Sequence, residues 1–293
     1  MTPVETFTVA STDGVEVMAY DLGGHGRPLF WIHATGFCAG AYTPLFARLL
    51  AEHDDTFHLY ALDVRGHGRT ALPAGVEPVW TGMADDVRAV IDAVTPGKPA
   101  WAAGHSMGGT SIVLGEAAAP GTYERAWTFE PILFPWAQPD VGDAAPDIAK
   151  GTRNRRAGFA SRADALERYA SRPPLSLLDP DALRGYVEFG FRDEPDGSVT
   201  LRCRPDVEAS VYEHHNTGAF ERLADVSMPM MITVGTPGEL PADLAAQAAE
   251  AAANPLVSVV HEPDLSHFGP LQAPHRMADA IATWFGAPDG AAS

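Results

Sequence analysis

The stretch Pro99-Ala100-Trp101-Ala102-Ala103-Gly104-His105-Ser106-Met107-Gly108-Gly109 decides the fold of this chain. Its first five residues are an apolar segment that predicts a β-strand, and residues Gly109–Ala119 predict a helix. Between them, a Gly-x-Ser-x-Gly pentapeptide lets the backbone turn sharply and keeps bulk away from the Ser106 hydroxyl. Such a turn exposes the hydroxyl at the carboxyl edge of the sheet. The sequence therefore predicts a nucleophilic serine.

The composition predicts one large globular domain, or a domain with an insertion. The chain has 293 residues, of which 46% are hydrophobic and 20% charged. A formal net charge of −18 argues against binding to nucleic acid, because a polyanion would be repelled. The 11 histidines show no spacing typical of metal ligands, so we expect no metal and no organic cofactor.

The expected compartment is the cytoplasm, and the expected partner is a small-molecule substrate. No apolar run approaches the roughly 20 residues that cross a bilayer. The first residues, Met1-Thr2-Pro3-Val4-Glu5, do not resemble a signal peptide. Cys38 and Cys203 are too few for a disulfide framework and are expected to be free thiols. We therefore expect no contact with a membrane.

Strand-like and helix-like segments alternate through the first half of the chain and again near its end. This alternation predicts a mostly parallel sheet with helices on both faces. The predicted strands of the first half include Pro28–His33, Phe57–Asp63 and Arg125–Glu130, and the pattern resumes with Met230–Val234 and Leu256–Val260.

The alternation breaks after Glu130, where several prolines follow closely. Helical patterns occur at Ala163–Ala170 and Asp181–Gly190, without strand–helix alternation. We therefore predict a mainly helical insertion after the sixth strand. It divides the chain into a first core part at 1–131, the insertion at 132–226 and a second core part at 227–293.

A serine needs a base to accept its proton and a carboxylate to orient that base. His267, in Asp264-Leu265-Ser266-His267-Phe268-Gly269, lies in a predicted loop after the final strand. That loop would bring its imidazole over the sheet edge near Ser106. His267 is therefore the candidate base.

The chain resembles the α/β-hydrolases, in the branch of esterases and lactonases with a serine nucleophile. The resemblance is carried by four segments in the family's order: His33-Ala34-Thr35-Gly36-Phe37, Asp63-Val64-Arg65-Gly66-His67-Gly68, Gly104-His105-Ser106-Met107-Gly108-Gly109 and Ser266-His267-Phe268. It covers nearly the whole chain and implies that the insertion is the family's lid. Asp63–Gly68 is assigned to a structural turn.

By this resemblance, two backbone N–H groups form the oxyanion hole, those of Thr35 and Met107. Similar enzymes have a His-Gly-x segment whose third residue donates its N–H. In this chain Ala34 replaces the glycine of that segment.

The acid is where the sequence departs from the common family pattern. Many relatives have an aspartate in the loop after the strand that follows the lid. Here that loop reads Val234-Gly235-Thr236-Pro237-Gly238-Glu239-Leu240-Pro241 and contains only Glu239. Some relatives instead place the acid at the end of the strand after the serine helix, where this chain has Glu130. Glu130 is the preferred candidate, Glu239 the alternative, and Asp264 a third carboxylate.

The predicted function is hydrolysis of an ester or lactone of small to medium size and apolar character through a Ser-His-Glu triad. Relatives that displace halide have an aspartate at the position of Ser106, so a serine there favours acyl transfer to water. One alternative is a carbon–carbon bond hydrolase acting on a diketone. Another, of a different class, is a binding protein that keeps the pocket without turnover.

The insertion is expected to cover the serine and to set selectivity. Candidate substrate-binding residues are Phe37, Trp136, Tyr212 and His214. A cluster of arginines at 153, 155 and 156 could attract a carboxylate, although such residues in an acidic chain are expected to form surface salt bridges.

Overall fold

The computed structural model describes residues 4–135, 144–215 and 217–286. The strands are β1 (Glu5–Ala10), β2 (Glu16–Gly24), β3 (Arg27–Ile32), β4 (Phe57–Asp63), β5 (Ala100–His105), β6 (Tyr123–Phe129), β7 (Gly158–Phe159), β8 (Phe191–Asp193), β9 (Val199–Leu201), β10 (Met230–Val234) and β11 (Val257–His261). The helices are α1 (Thr43–His53), α2 (Trp80–Val94), α3 (Met107–Ala118), α4 (Ala144–Arg153), α5 (Arg162–Ala170), α6 (Pro180–Phe189), α7 (Pro205–Glu213), α8 (Ala219–Arg222), α9 (Leu240–Ala252), α10 (Gly269–Gln272) and α11 (Pro274–Gly286).

The central sheet has eight strands in the described ranges, in the order β1-β2-β4-β3-β5-β6-β10-β11. β1 pairs antiparallel with β2, and β2 antiparallel with β4. The remaining neighbours, from β4 through β3, β5, β6 and β10 to β11, are parallel. The prediction of a mostly parallel sheet is therefore confirmed.

Both faces of the sheet are covered by helices, because side chains alternate along each strand. Leu29 and Trp31 of β3 pack in a buried cluster with α1 and α11. Phe30 and Ile32 of the same strand pack in a second cluster with α2, α3 and α9. Because β3, β5 and β6 are parallel neighbours, their carboxyl ends meet at one edge of this three-layer core.

In the described residues between β6 and β10, the chain forms the five helices α4 to α8. The sequence patterns at Ala163–Ala170 and Asp181–Gly190 correspond to α5 and α6. This part also contains a small antiparallel sheet in the order β7-β9-β8, which the helical patterns did not indicate. Its strands are only two or three residues long, too short to produce a recognisable alternation of polar and apolar residues.

Within the described ranges, no helix is long and apolar enough to cross a membrane. The same residues include no group of three or more His, Cys, Asp or Glu side chains placed to hold a metal ion. Cys38 and Cys203 are both buried free thiols.

Candidate active site

Ser106 occupies a sharp turn between the last residue of β5 and the first residue of α3. Its φ is 55° and its ψ −117°, a backbone conformation that costs a non-glycine residue energy. The neighbouring glycines make the turn possible. A Cβ on Gly104 would lie 2.6 Å from the Gly108 carbonyl carbon, and a Cβ on Gly108 would lie 2.3 Å from the Ile32 oxygen. The Ser106 N–H donates to the Phe129 carbonyl at 2.9 Å, which fixes the turn to β6.

His267 lies in the loop between β11 and α10, within reach of this serine. Its Nε2 is 3.0 Å from the Ser106 Oγ, the distance of a hydrogen bond in which the hydroxyl donates. The structure thus brings the predicted nucleophile and the predicted base together, although 161 positions separate them in the sequence. A base at this distance can accept the hydroxyl proton.

Glu130 follows β6 directly and is completely buried. Its Oε2 accepts a hydrogen bond from His267 Nδ1 at 2.6 Å, and its Oε1 accepts one from the Gly235 N–H at 2.7 Å. Its own N–H donates to the Thr233 carbonyl at 2.9 Å. Both carboxylate oxygens are therefore held from opposite sides, which compensates for the burial of the charge.

Gly235 stands at the start of the loop in which many α/β-hydrolases have an aspartate. A Cβ there would lie 2.3 Å from the Leu265 oxygen and 2.8 Å from Glu130 Oε1. The loop supplies a backbone donor to Glu130 instead of a carboxylate to His267. Gly235 therefore leaves room for Glu130 and holds one of its two carboxylate oxygens.

The other two candidate acids contact different groups. Glu239 Oε2 accepts a hydrogen bond from the backbone N–H of His267 at 3.3 Å, so the structure brings Glu239 to the main chain rather than to the imidazole. Asp264 forms a bidentate pair with Arg276 at 2.8 and 2.9 Å. Of the three carboxylates, Glu130 is the one in contact with the His267 ring.

The two predicted oxyanion donors lie beside Ser106. Met107 is the first residue of α3, so its N–H has no acceptor within the helix. Thr35 follows β3 and lines the same cavity as Ser106. Ala34 fits the loop, because the positive φ of 78° falls on Gly36, two residues later, and not on Ala34.

A buried chain of hydrogen bonds connects this loop to the His267 loop. The Ala34 N–H donates to the Tyr42 hydroxyl at 3.1 Å, and that hydroxyl donates to His105 Nδ1 at 2.8 Å. The His105 Nε2–H donates to the His267 carbonyl at 2.7 Å. Because the His267 carbonyl can only accept, a neutral His105 must carry its proton on Nε2 and accept from the Tyr42 hydroxyl at Nδ1. Burial first, and then the nearby His267, hold the pKa of His105 well below its usual value of 6.5, consistent with this state.

Ser106 and His267 open onto a cavity of about 680 Å³. Two of the predicted substrate-binding residues, Phe37 and Tyr212, line it. His214 does not; its Nε2 lies 3.3 Å from Glu77, and its neighbour His215 faces the cavity instead. Trp136 lies outside the described residues.

The cavity is also lined by charged residues. Some of them were not named from the sequence, and one was expected on the surface. Arg155 lines it and pairs with the buried Glu208 at 2.6 Å, whereas Arg153 forms the expected exposed pair with Glu213. Two further arginines, Arg168 and Arg172, also line the cavity. Their spacing of four residues was the one signal in the sequence that could have indicated them.

Comparisons with known proteins agree with this geometry. A sequence model of the serine aminopeptidase S33 family matches residues 28–253. A comparison with curated protein sequences finds no significant match.

Many solved structures resemble the fold. E-2-(acetamidomethylene)succinate hydrolase superimposes with a TM-score of 0.79 at 21% identity, covering 97% of this chain and all of the other. A thermophilic esterase from Thermogutta terrifontis, with malate bound, gives 0.71 at 18% identity, covering 96% and 98%. An esterase of M. tuberculosis gives 0.73 at 17% identity, covering 97% and 92%. At these identities the likeness shows the fold.

Proposed function

Because the chain belongs to the serine aminopeptidase S33 family of α/β-hydrolases, we propose that it is a serine hydrolase that cleaves esters or lactones of small to medium, mainly apolar substrates. One observation carries this proposal: an unbroken hydrogen-bond chain runs from Glu130 through His267 to Ser106 and ends in a cavity. A nucleophile, a base and an orienting acid in this order are what acyl transfer to water requires.

In the first half of the proposed reaction, the Ser106 Oγ attacks the substrate carbonyl while His267 Nε2 accepts the hydroxyl proton. Glu130 holds the Nδ1–H and stabilises the imidazolium that forms, because its carboxylate lies 2.6 Å away. The N–H groups of Thr35 and Met107 stabilise the negative charge on the tetrahedral oxygen. His267 then returns the proton to the leaving alkoxide, and the acyl group stays on Ser106.

In the second half, water attacks the acyl-enzyme. His267 accepts a proton from that water, and the same two amides hold the second oxyanion. Collapse of this intermediate releases the carboxylic acid as the proton returns to the Ser106 Oγ. The cycle needs no further group, because each proton that His267 takes is given back.

The cavity supports an apolar substrate more than a peptide with a free amino terminus. Its wall includes Phe37, Trp80, Leu133 and Phe268. A positively charged amine would need an unpaired carboxylate, but Glu208, the acidic residue of the described wall, is already paired with Arg155. The name of the family therefore does not extend to the substrate proposed here.

A fluorophosphonate probe tests the proposal, because it reacts covalently with activated serines. We expect labelling of the wild-type protein at Ser106, located by peptide mass spectrometry, and none in Ser106→Ala. Ser111→Ala is a matched control, since Ser111 is a buried serine of α3 whose hydroxyl donates to the Met107 carbonyl; its labelling should equal wild type.

Absence of labelling in folded wild-type protein would contradict the hydrolase mechanism and favour a binding protein on the same fold. Labelling without turnover of any ester or lactone would point instead to carbon–carbon bond hydrolysis. Analysis of the products from a diketone would then identify that reaction.

A further inference from the structure

The charged residues that line the cavity are mostly positive, whereas the protein as a whole is negatively charged. The chain carries a formal net charge of −18. The described wall of the cavity nevertheless includes three arginines, Arg155, Arg168 and Arg172, against one acidic residue, Glu208. In an otherwise largely apolar pocket, such an excess of cations needs an explanation.

Arg155 needs no ligand to balance its charge, because other residues of the protein bind its guanidinium group. Its Nη1 donates to Glu208 at 2.6 Å, and its Nη2 donates to the hydroxyls of Tyr186 at 3.0 Å and Tyr169 at 3.3 Å. A Cβ on Gly36 would lie 2.4 Å from Glu208 Oε1, so this ion pair packs directly against the oxyanion loop. Arg155 and Glu208 therefore belong to the structure of the wall.

Arg168 and Arg172 are different. Arg168 is in α5, and Arg172 follows its end by two residues, where the Arg172 N–H donates to the Tyr169 carbonyl. Both side chains line the same cavity. No carboxylate of the described residues lies within ion-pair distance of either guanidinium, and both residues are exposed while also lining the cavity.

We propose that Arg168 and Arg172 bind an anionic group, a carboxylate or a phosphate, that the substrate carries away from its reacting carbonyl. Both guanidinium groups line the cavity without a carboxylate partner among the described residues, so an anionic group of the substrate would supply that partner. Arginine suits both kinds of anion, because its planar fork matches the oxygens of a carboxylate or a phosphate. The inference rests on the proposed function, since it assumes that the reacting carbonyl is at Ser106.

Three probes of similar length test the proposal: monomethyl glutarate, methyl 4-phosphonobutanoate and the neutral dimethyl glutarate. The variants are Arg168→Gln, Arg172→Gln and the double variant. Lys98→Gln is the matched control, because Lys98 is an exposed cation just before β5, at the sheet edge opposite to Ser106. Turnover is measured with the wild type and with variants that keep Ser106. Binding is measured by calorimetry with each arginine variant combined with Ser106→Ala, so that the probes are not hydrolysed.

We expect kcat/KM for one of the anionic esters to exceed that for dimethyl glutarate in the wild type. This preference should fall about tenfold in each single variant and further in the double variant, while turnover of dimethyl glutarate stays unchanged. Lys98→Gln should keep the wild-type preference. Whether the carboxylate or the phosphonate shows the larger loss identifies the kind of anion.

Equal preference in the double variant and the wild type would overturn the inference while leaving the proposed function intact. If no probe is hydrolysed, the proposed function fails for these esters, and binding to Ser106→Ala decides the inference separately. The inference is supported if the anionic probes bind the double arginine variant in the Ser106→Ala background more weakly than they bind Ser106→Ala alone. Equal binding to these two proteins rejects it.

Discussion

Glu130→Gln is expected to lower kcat about ten-thousandfold with little change in KM. Glutamine keeps the shape of the side chain but has one oxygen and one NH₂ group. Because the Gly235 N–H donates to Oε1, that position must remain an oxygen, and the NH₂ group must then face His267 Nδ1. The imidazole would have to accept there and carry its proton on Nε2, where it could no longer take the Ser106 proton.

Glu239→Gln is the matched control for this substitution. Its side chain contacts the backbone N–H of His267 and not the ring, and an amide oxygen can replace that acceptor. We expect kcat to stay within a few-fold of wild type. Steady-state hydrolysis of 4-nitrophenyl butyrate measures both variants, and a large loss in Glu239→Gln with little loss in Glu130→Gln would move the acid to the later loop.

Asp86→Ala is expected to lower the free energy of unfolding by about 3–5 kcal/mol. Asp86 and Arg65 are both completely buried. One carboxylate oxygen accepts from the Arg65 backbone N–H at 2.9 Å and from its Nε at 3.0 Å; the other accepts from Arg65 Nη2 at 2.8 Å and from the Ser11 hydroxyl at 2.7 Å. Removing the carboxylate leaves a buried guanidinium with only the half-exposed Asp13 as its charged partner.

The neighbouring Asp85→Ala is the control, because Asp85 pairs with Arg88 near the surface at 3.2 Å. Such a pair contributes roughly 0.2–1 kcal/mol. Urea denaturation followed by circular dichroism measures both variants. Similar losses for Asp85→Ala and Asp86→Ala would show that the buried pair does not stabilise the turn after β4. Replacing Arg65 and Asp86 together by Met and Leu should recover part of the loss.

The core of the fold could be predicted because its signals are local. The predicted strands Phe57–Asp63 and Met230–Val234 match β4 and β10 residue for residue. Each is a short apolar run bounded by turn residues, which a single window of sequence reveals. The small sheet of β7, β8 and β9 could not be predicted, since it depends on pairing between distant, very short segments.

The candidate site divides in the same way. Ser106 and His267 could be found from motif and chain order. The sequence left Glu130 and Glu239 both open as the acid because both fall within reach of His267. The two carboxylates differ in whether they touch its ring or its backbone, and no pattern of residue types encodes that difference.

The pairing of charges in the wall of the cavity could not be predicted from the sequence. Arg155 and Glu208 are 53 positions apart, so nothing local links them, and the expectation of a surface position was wrong for Arg155. The choice between His214 and His215 depends on how α7 ends. His214 is its C-cap residue, and the next residue turns toward the cavity.

The hydrogen bonds from Ala34 through Tyr42 and His105 to His267 have a consequence for how the enzyme could diversify. They connect the loop that contains Ala34 and Thr35 to the loop that contains His267 through buried residues, so the folded core sets the spacing between these two loops. Bond cleavage and substrate selection would thus depend on separate parts of the molecule. A new substrate range could be obtained by exchanging helices α4 to α7, because Ser106, Glu130 and His267 all lie outside them.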